Sequence, residues 1–89
     1  MSYWTKDPQA VLDYRFDWAQ WLAAGETITA HTVTVPAGLA KDSDSATSTA
    51  VTVWLSGGTA GVDYAVGCRV TTSQGRTDER TIVIAVRER

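Results

Sequence analysis

The side chains able to do acid–base, nucleophilic or metal chemistry in this sequence are few and scattered. There is one histidine, His31, and one cysteine, Cys68. One imidazole excludes a multi-histidine metal centre, and one thiol excludes an internal disulfide and a cysteine-based zinc site. His31 stands among threonines in an extended stretch with no nucleophile or carboxylate indicated beside it, so no catalytic role is assigned to it. Cys68 falls on the apolar side of a later alternating stretch and reads as a small buried hydrophobe. Two aspartate pairs, Asp13 with Asp17 and Asp42 with Asp44, have the oxygen chemistry that calcium uses, several donors at about 2.4 Å. Neither lies in a dense run of Asp, Asn and Gly, and both read as solvated surface. No enzyme activity, metal or cofactor is expected. Arg76, Asp78, Glu79 and Arg80 alternate in sign; they read as a surface salt-bridge patch worth ~0–1 kcal/mol per pair, or as a charged rim that sets register against a partner.

The aromatic residues are the other candidates. Four tryptophans in 89 residues is a high content, and they cannot all sit at the centre of so small a core. Trp18 continues an alternating apolar face and is read as core. Trp54 lies on the face opposite Val51, Val53 and Leu55, the wetter side of its strand. Tyr3 and Trp4 precede Pro8 in an N-terminal arm, residues 1–8, which packs on its own domain or docks on a neighbour. Exposed aromatics mark interfaces. The candidate partner-binding residues are therefore Tyr3, Trp4, Trp21 and Trp54.

Composition sets the frame for these side chains. A hydrophobic content of 44% with 20% charged residues is that of a globular chain, and 89 residues suffice for a single domain, 1–89. The net charge of −2 argues against a nucleic-acid partner, which would need a basic stripe. No apolar run approaches the roughly 18 residues of a membrane span, and the N-terminus lacks the apolar segment of a secretion signal. Neither a membrane nor a nucleic acid is expected as a partner.

The elements that must position these residues are strands. Thirteen threonines together with Val and Ile favour the pleated backbone, because branching at Cβ restricts χ1. Leu12, Tyr14, Phe16 and Trp18 alternate with Asp13, Arg15 and Asp17, the period of a half-buried strand. Trp21 to Gly25 reads as a tight connector. A second strand covers about Thr27 to Val35, with a bulge near Ala30 to Thr32 where the alternation slips. Lys41 to Ser45 has the composition of a polar loop. A third strand runs from about Thr47 to Leu55, followed by the glycine-rich turn Ser56 to Gly61. A fourth, about Asp63 to Thr72, places Tyr64, Val66, Cys68 and Val70 on one face. The turn Ser73 to Arg76 leads into a last strand, Arg80 to Val86, with Ile82, Ile84 and Val86 inward. Arg87, Glu88 and Arg89 end the chain in water. Two shorter strands fit near Leu39 to Lys41 and Met1 to Lys6. The expected fold is all-β, an immunoglobulin-like sandwich of about seven antiparallel strands. The start Gly61-Val62-Asp63-Tyr64 has the look of a tyrosine corner.

Several segments together carry a resemblance: Lys6-Asp7-Pro8, Leu12-Asp13-Tyr14, Phe16-Asp17-Trp18, Trp21-Leu22, Thr32-Val33-Thr34-Val35-Pro36-Ala37-Gly38-Leu39, Thr52-Val53-Trp54-Leu55-Ser56-Gly57-Gly58-Thr59-Ala60-Gly61 and Gly75-Arg76-Thr77-Asp78-Glu79-Arg80-Thr81. The chain resembles the phage fibre–tail adaptor family, small immunoglobulin-like structural proteins of tailed bacteriophages. The resemblance implies a non-enzymatic virion protein, an adaptor linking tail fibre or accessory proteins to the tail. Its partners would be other virion proteins of tail, fibre or head, in multi-copy assembly. Its location would be the virion, and the host bacterial cytoplasm during assembly. Two alternatives stand beside this reading: a head decoration or head–tail accessory protein, and a small carbohydrate-binding module that stacks exposed Trp on sugar rings.

Overall fold

The computed structural model describes residues 2–88, except the side chain of Ser2; the expectations made for Met1 and Arg89 lie outside the described residues. Seven strands follow one another: β1 (Ser2–Lys6), β2 (Leu12–Asp17), β3 (Ile28–Thr34), β4 (Leu39–Ala46), β5 (Ala50–Gly57), β6 (Asp63–Thr72) and β7 (Thr77–Val86). They form a four-stranded sheet in the order β1-β7-β6-β3 and a three-stranded sheet in the order β2-β5-β4. The division of β2, β4 and β5 from β3, β6 and β7 is consistent with an immunoglobulin-type sandwich.

Period-two side chains build the core between the layers. Tyr14 and Phe16 of β2 and Val51, Val53 and Leu55 of β5 face Val66, Cys68 and Val70 of β6 and Ile82, Ile84 and Val86 of β7. Trp18, just beyond β2, is fully buried and stacks on Phe16 at 6.0 Å between centroids. Cys68 is buried among these residues, and desolvation raises its pKa to about 12, so it serves as a packing group.

Four expectations need correction. The segment from Lys41 to Ser45 is not a loop but the middle of β4. This strand is an edge with nearly every residue exposed, and a solvated edge tolerates a loop's composition. The residues Ser2–Lys6 form β1, which pairs with β7 in parallel, not antiparallel. The chain leaves β1 through a turn at Pro8 and crosses to the other sheet, so no hairpin forces the antiparallel sense. The bulge of β3 lies one turn of pleat earlier than expected, between Ile28 and Ala30, and β4 carries another between Lys41 and Ser43. Leu12 shares the face of Tyr14 and Phe16 but is exposed, because it begins an edge strand beyond the cover of the facing sheet.

The end of the sandwich where β1, β5 and β7 finish is held by two polar ties. The Tyr64 hydroxyl accepts the N–H of Thr59 at 2.9 Å, the tyrosine-corner contact expected from the sequence. Its ring lies so close to Gly38 that a Cβ there would come within 3.1 Å of it, in a backbone with φ of +99°. Lys6 is fully buried, and its Nζ donates to the carbonyls of Asp7 at 2.9 Å and Gly57 at 2.7 Å. Burial lowers the Lys6 pKa, opposed by the charges of Asp7 and Asp42. The ammonium thereby joins β1 to β5 across the two sheets.

Replacing Tyr64 by Phe keeps the ring and leaves the Thr59 N–H without its partner. A loss of about 0.5–1.5 kcal/mol is expected in urea denaturation, with roughly 4–8 °C of Tm lost per kcal/mol in a domain of this size.

Candidate partner-binding surface

The aromatic candidates are held on different parts of the sandwich. Tyr3 is 70% exposed and stands on the outer face of the four-stranded sheet, opposite Val83 in register. Trp4, next along β1, turns inward at the sheet edge; it is 47% exposed and meets Tyr14 edge-on, with 5.7 Å between centroids. Trp54 is 42% exposed on the outer face of the three-stranded sheet, between Asp13 of β2 and Ser43 of β4. The surroundings of Trp54 are polar, with Ser56 donating to Asp42 at 2.8 Å nearby. Trp21 lies in the connector between β2 and β3, partly buried against the core. The structure therefore does not bring all four into one patch.

Two neighbouring hollows lie beside Trp4 and Trp21. A cleft of about 340 Å³ opens between the β1 and β2 edges, with Trp4, Phe16 and Ile82 as its apolar walls and Arg15, Asp17 and Arg80 at its rim. A second hollow, of about 400 Å³, shares Asp17 and Arg80 with the first and runs on to Trp21. Arg80 organises this side. Its guanidinium sits 4.9 Å from the Trp18 ring centre, donates to the carbonyl of Asp17, and lies 3.6 Å from the Asp78 carboxylate. That carboxylate in turn accepts the indole N–H of Trp18 at 2.8 Å. Of the mixed-sign cluster read from the sequence, Arg76, Asp78 and Arg80 are drawn onto the tryptophans, while Glu79 stays in a surface ion pair with Arg69 at 4.0 Å.

The conformation of Trp21 is fixed by a buried carboxylate. Glu26 is shielded from solvent and accepts four hydrogen bonds: two from the Arg76 guanidinium, one from the Thr72 hydroxyl and one from the Ala23 N–H. Arg76 lies 4.1 Å from the Trp21 ring centre and also donates to the Trp21 carbonyl at 3.3 Å. The hydrogen bonds from Arg76, then Thr72, then the Ala23 backbone pull the Glu26 pKa from 4.5 to about 2, against the opposing effect of burial. One fork of Arg76 so ties the β2–β3 connector to the β6–β7 turn and covers a face of Trp21.

Other candidates resolve differently. Asp13 is exposed, and Asp17 caps its own turn by accepting the Ala19 N–H at 2.8 Å. Asp42 and Asp44 diverge at the β4 bulge: Asp42 meets Ser56, while Asp44 turns toward Lys41 and His31. His31 does have a carboxylate beside it, contrary to the expectation; its Nε2 is 2.8 Å from Asp44 of the facing sheet. Hydrogen bonds from Lys41 and then His31 lower the Asp44 pKa. Among the described residues no group of three or more His, Cys, Asp or Glu is arranged to hold a metal ion. No helix among them is long and apolar enough to cross a membrane.

Sequence reasoning named Arg80 within a charged cluster but missed Glu26 and Arg15 as parts of this surface. Period two did place Arg15 outward; nothing local marked Glu26, whose side-chain partners lie 46 and 50 residues away. A known protein family also matches the chain. The sequence model of the family described as "Podophage GP4 fiber-tail adaptor protein gp77" matches residues 6–85. No curated protein matches the chain.

The Glu26 pKa is depressed in the folded chain, so its contribution to stability is complete above about pH 4.5 and is lost as the pH falls toward about 2. A Tm-versus-pH series should therefore decline steeply over that window. Glu26→Gln should lower Tm at pH 7 and flatten the acid limb; an unchanged limb would show that other groups govern it.

Proposed function

The chain belongs to the podophage fibre–tail adaptor family, and from that membership we propose that it joins a tail fibre or accessory protein to the tail of the virion. The role is structural and non-enzymatic. The contacts are assigned to Tyr3, Trp4, Trp21 and Trp54, in particles assembled within the host bacterial cytoplasm. The family match over most of the chain carries this reading.

The surface is suited to the task. Large aromatics supply contact area at little cost in conformational freedom when their neighbours already hold them. Trp21 is held by Arg76, and Trp4 by Tyr14. Tyr3 and Trp54 stand on opposite outer faces, so one copy offers surface to more than one neighbour. That arrangement fits a joint better than a single ligand pocket.

Mass spectrometry of purified virions tests the reading. The protein should be present in intact particles, and particles from a phage lacking its gene should be depleted of fibre or accessory protein. Its absence from intact virions would exclude the role. Trp54→Ala should lower incorporation into particles while costing roughly 1–2 kcal/mol of stability, since more than half of the side chain is covered. Glycan-array binding abolished by Trp54→Ala or Trp21→Ala would favour a carbohydrate-binding role instead.

A further inference from the structure

The sheet edges on the two sides of the sandwich are treated differently. On the β3/β4 side both strands are broken by bulges. Between them lies a charged tie, with His31 2.8 Å and Lys41 2.6 Å from the Asp44 carboxylate. Bulges and edge charges are how a sheet resists the addition of a further strand. The β1/β2 side has no bulge, and its charges, Asp13, Arg15 and Asp17, all lie on β2 while β1 exposes none. Both strands pair in unbroken register. Among the described residues, four of the six exposed large apolar side chains belong to this side: Tyr3, Trp4, Val11 and Leu12.

The free edge of β1 also has a defined polarity. The Lys6 carbonyl accepts the N–H of Arg87 at 2.9 Å, so the peptide groups of Lys6 face the β7 side. Backbone groups alternate along a strand, which turns those of Trp4 the same way and those of Tyr3 and Thr5 outward. Two residues offer too few hydrogen bonds to retain a partner alone. The cleft beside them supplies apolar surface from Trp4, Phe16 and Ile82. Its rim is unbalanced in charge. Asp17 and Arg80 have partners within the chain, whereas Arg15 makes no ion pair among the described residues.

We propose that an extended segment of a neighbouring virion protein adds to β1 as an outer strand and seats an apolar side chain, flanked by a carboxylate, in the Trp4–Phe16–Ile82 cleft beside Arg15. Main-chain pairing gives the segment its direction, the cleft selects the apolar residue, and Arg15 selects its acidic neighbour. The proposal rests on the adaptor reading and specifies how one of its contacts is made.

The test adds purified protein back to virions prepared from a phage lacking this gene and measures the amount bound after sedimentation. Thr5→Pro removes an outward N–H and spares the bonds to β7. Arg15→Glu reverses the rim charge. Arg69→Glu makes the same charge change on the outer face of the four-stranded sheet, away from the cleft. Wild type and Arg69→Glu should bind alike, and Thr5→Pro and Arg15→Glu about tenfold or more weaker. Binding of all variants at the wild-type level would overturn the strand addition and leave the adaptor role standing. Failure of the wild type to bind would remove the adaptor reading and this proposal together. A wild-type homodimer in analytical ultracentrifugation that Thr5→Pro dissociates would assign the edge to a second copy, against the proposal. Should Thr5→Pro not fold, hydrogen exchange of wild type decides: the amides of Tyr3 and Thr5 slow on particle binding, and unchanged exchange overturns it.

Discussion

Two small open sheets share one thin core, and every other feature of the structure answers the exposure that this leaves. A chain of 89 residues buries a modest share of its surface, with no disulfide to restrain it. The apolar filling is only one side chain deep from each sheet. Its two ends and its open edges must therefore be closed by other means, and each is closed differently.

The ends are closed by polar groups that find all their partners inside the protein. At one end the Lys6 ammonium and the Tyr64 hydroxyl reach backbone groups of other strands and loops. At the other, the Glu26 carboxylate collects donors from two loops distant in sequence. Such groups are costly to bury unless satisfied, so they hold one arrangement and disfavour its alternatives. Arginine adds apolar cover at the second end: Arg76 and Arg80 lie on Trp21 and Trp18 while keeping their carboxylate or carbonyl partners. Tryptophans that composition alone would scatter over the surface are thus divided into one wholly buried, one clamped at the end, and two more open.

The proposed strand contact lies at an edge. A family of fibre–tail adaptors needs surface that other proteins recognise, and a sandwich provides it most cheaply at strands and faces it has not covered. The pair of edges with bulges and charges is self-contained. The pair with aromatic and aliphatic side chains adjoins a cleft, and that asymmetry follows from where the chain places β1 and β2.

How much of this was legible in the sequence depends on the range of the interaction. The alternations from Tyr14 to Trp18, from Tyr64 to Val70 and from Ile82 to Val86 identified strands and their buried faces, because side-chain direction in a strand is set by the chain itself. The tyrosine corner was visible for the same reason, its partner being five residues away. Only the start of β4, Leu39 to Lys41, was visible, since an exposed edge imposes no apolar period on the rest of its residues. The His31–Asp44 contact, the burial of Lys6 and the partners of Glu26 were not visible either, because each joins segments that only the stacking of two sheets brings together. Local backbone geometry wrote the strands and the inward faces into the sequence. Which edges lie side by side, which charge meets which ring, and which tryptophans remain exposed were decided by long-range pairing, for which no residue carries a sign of its own.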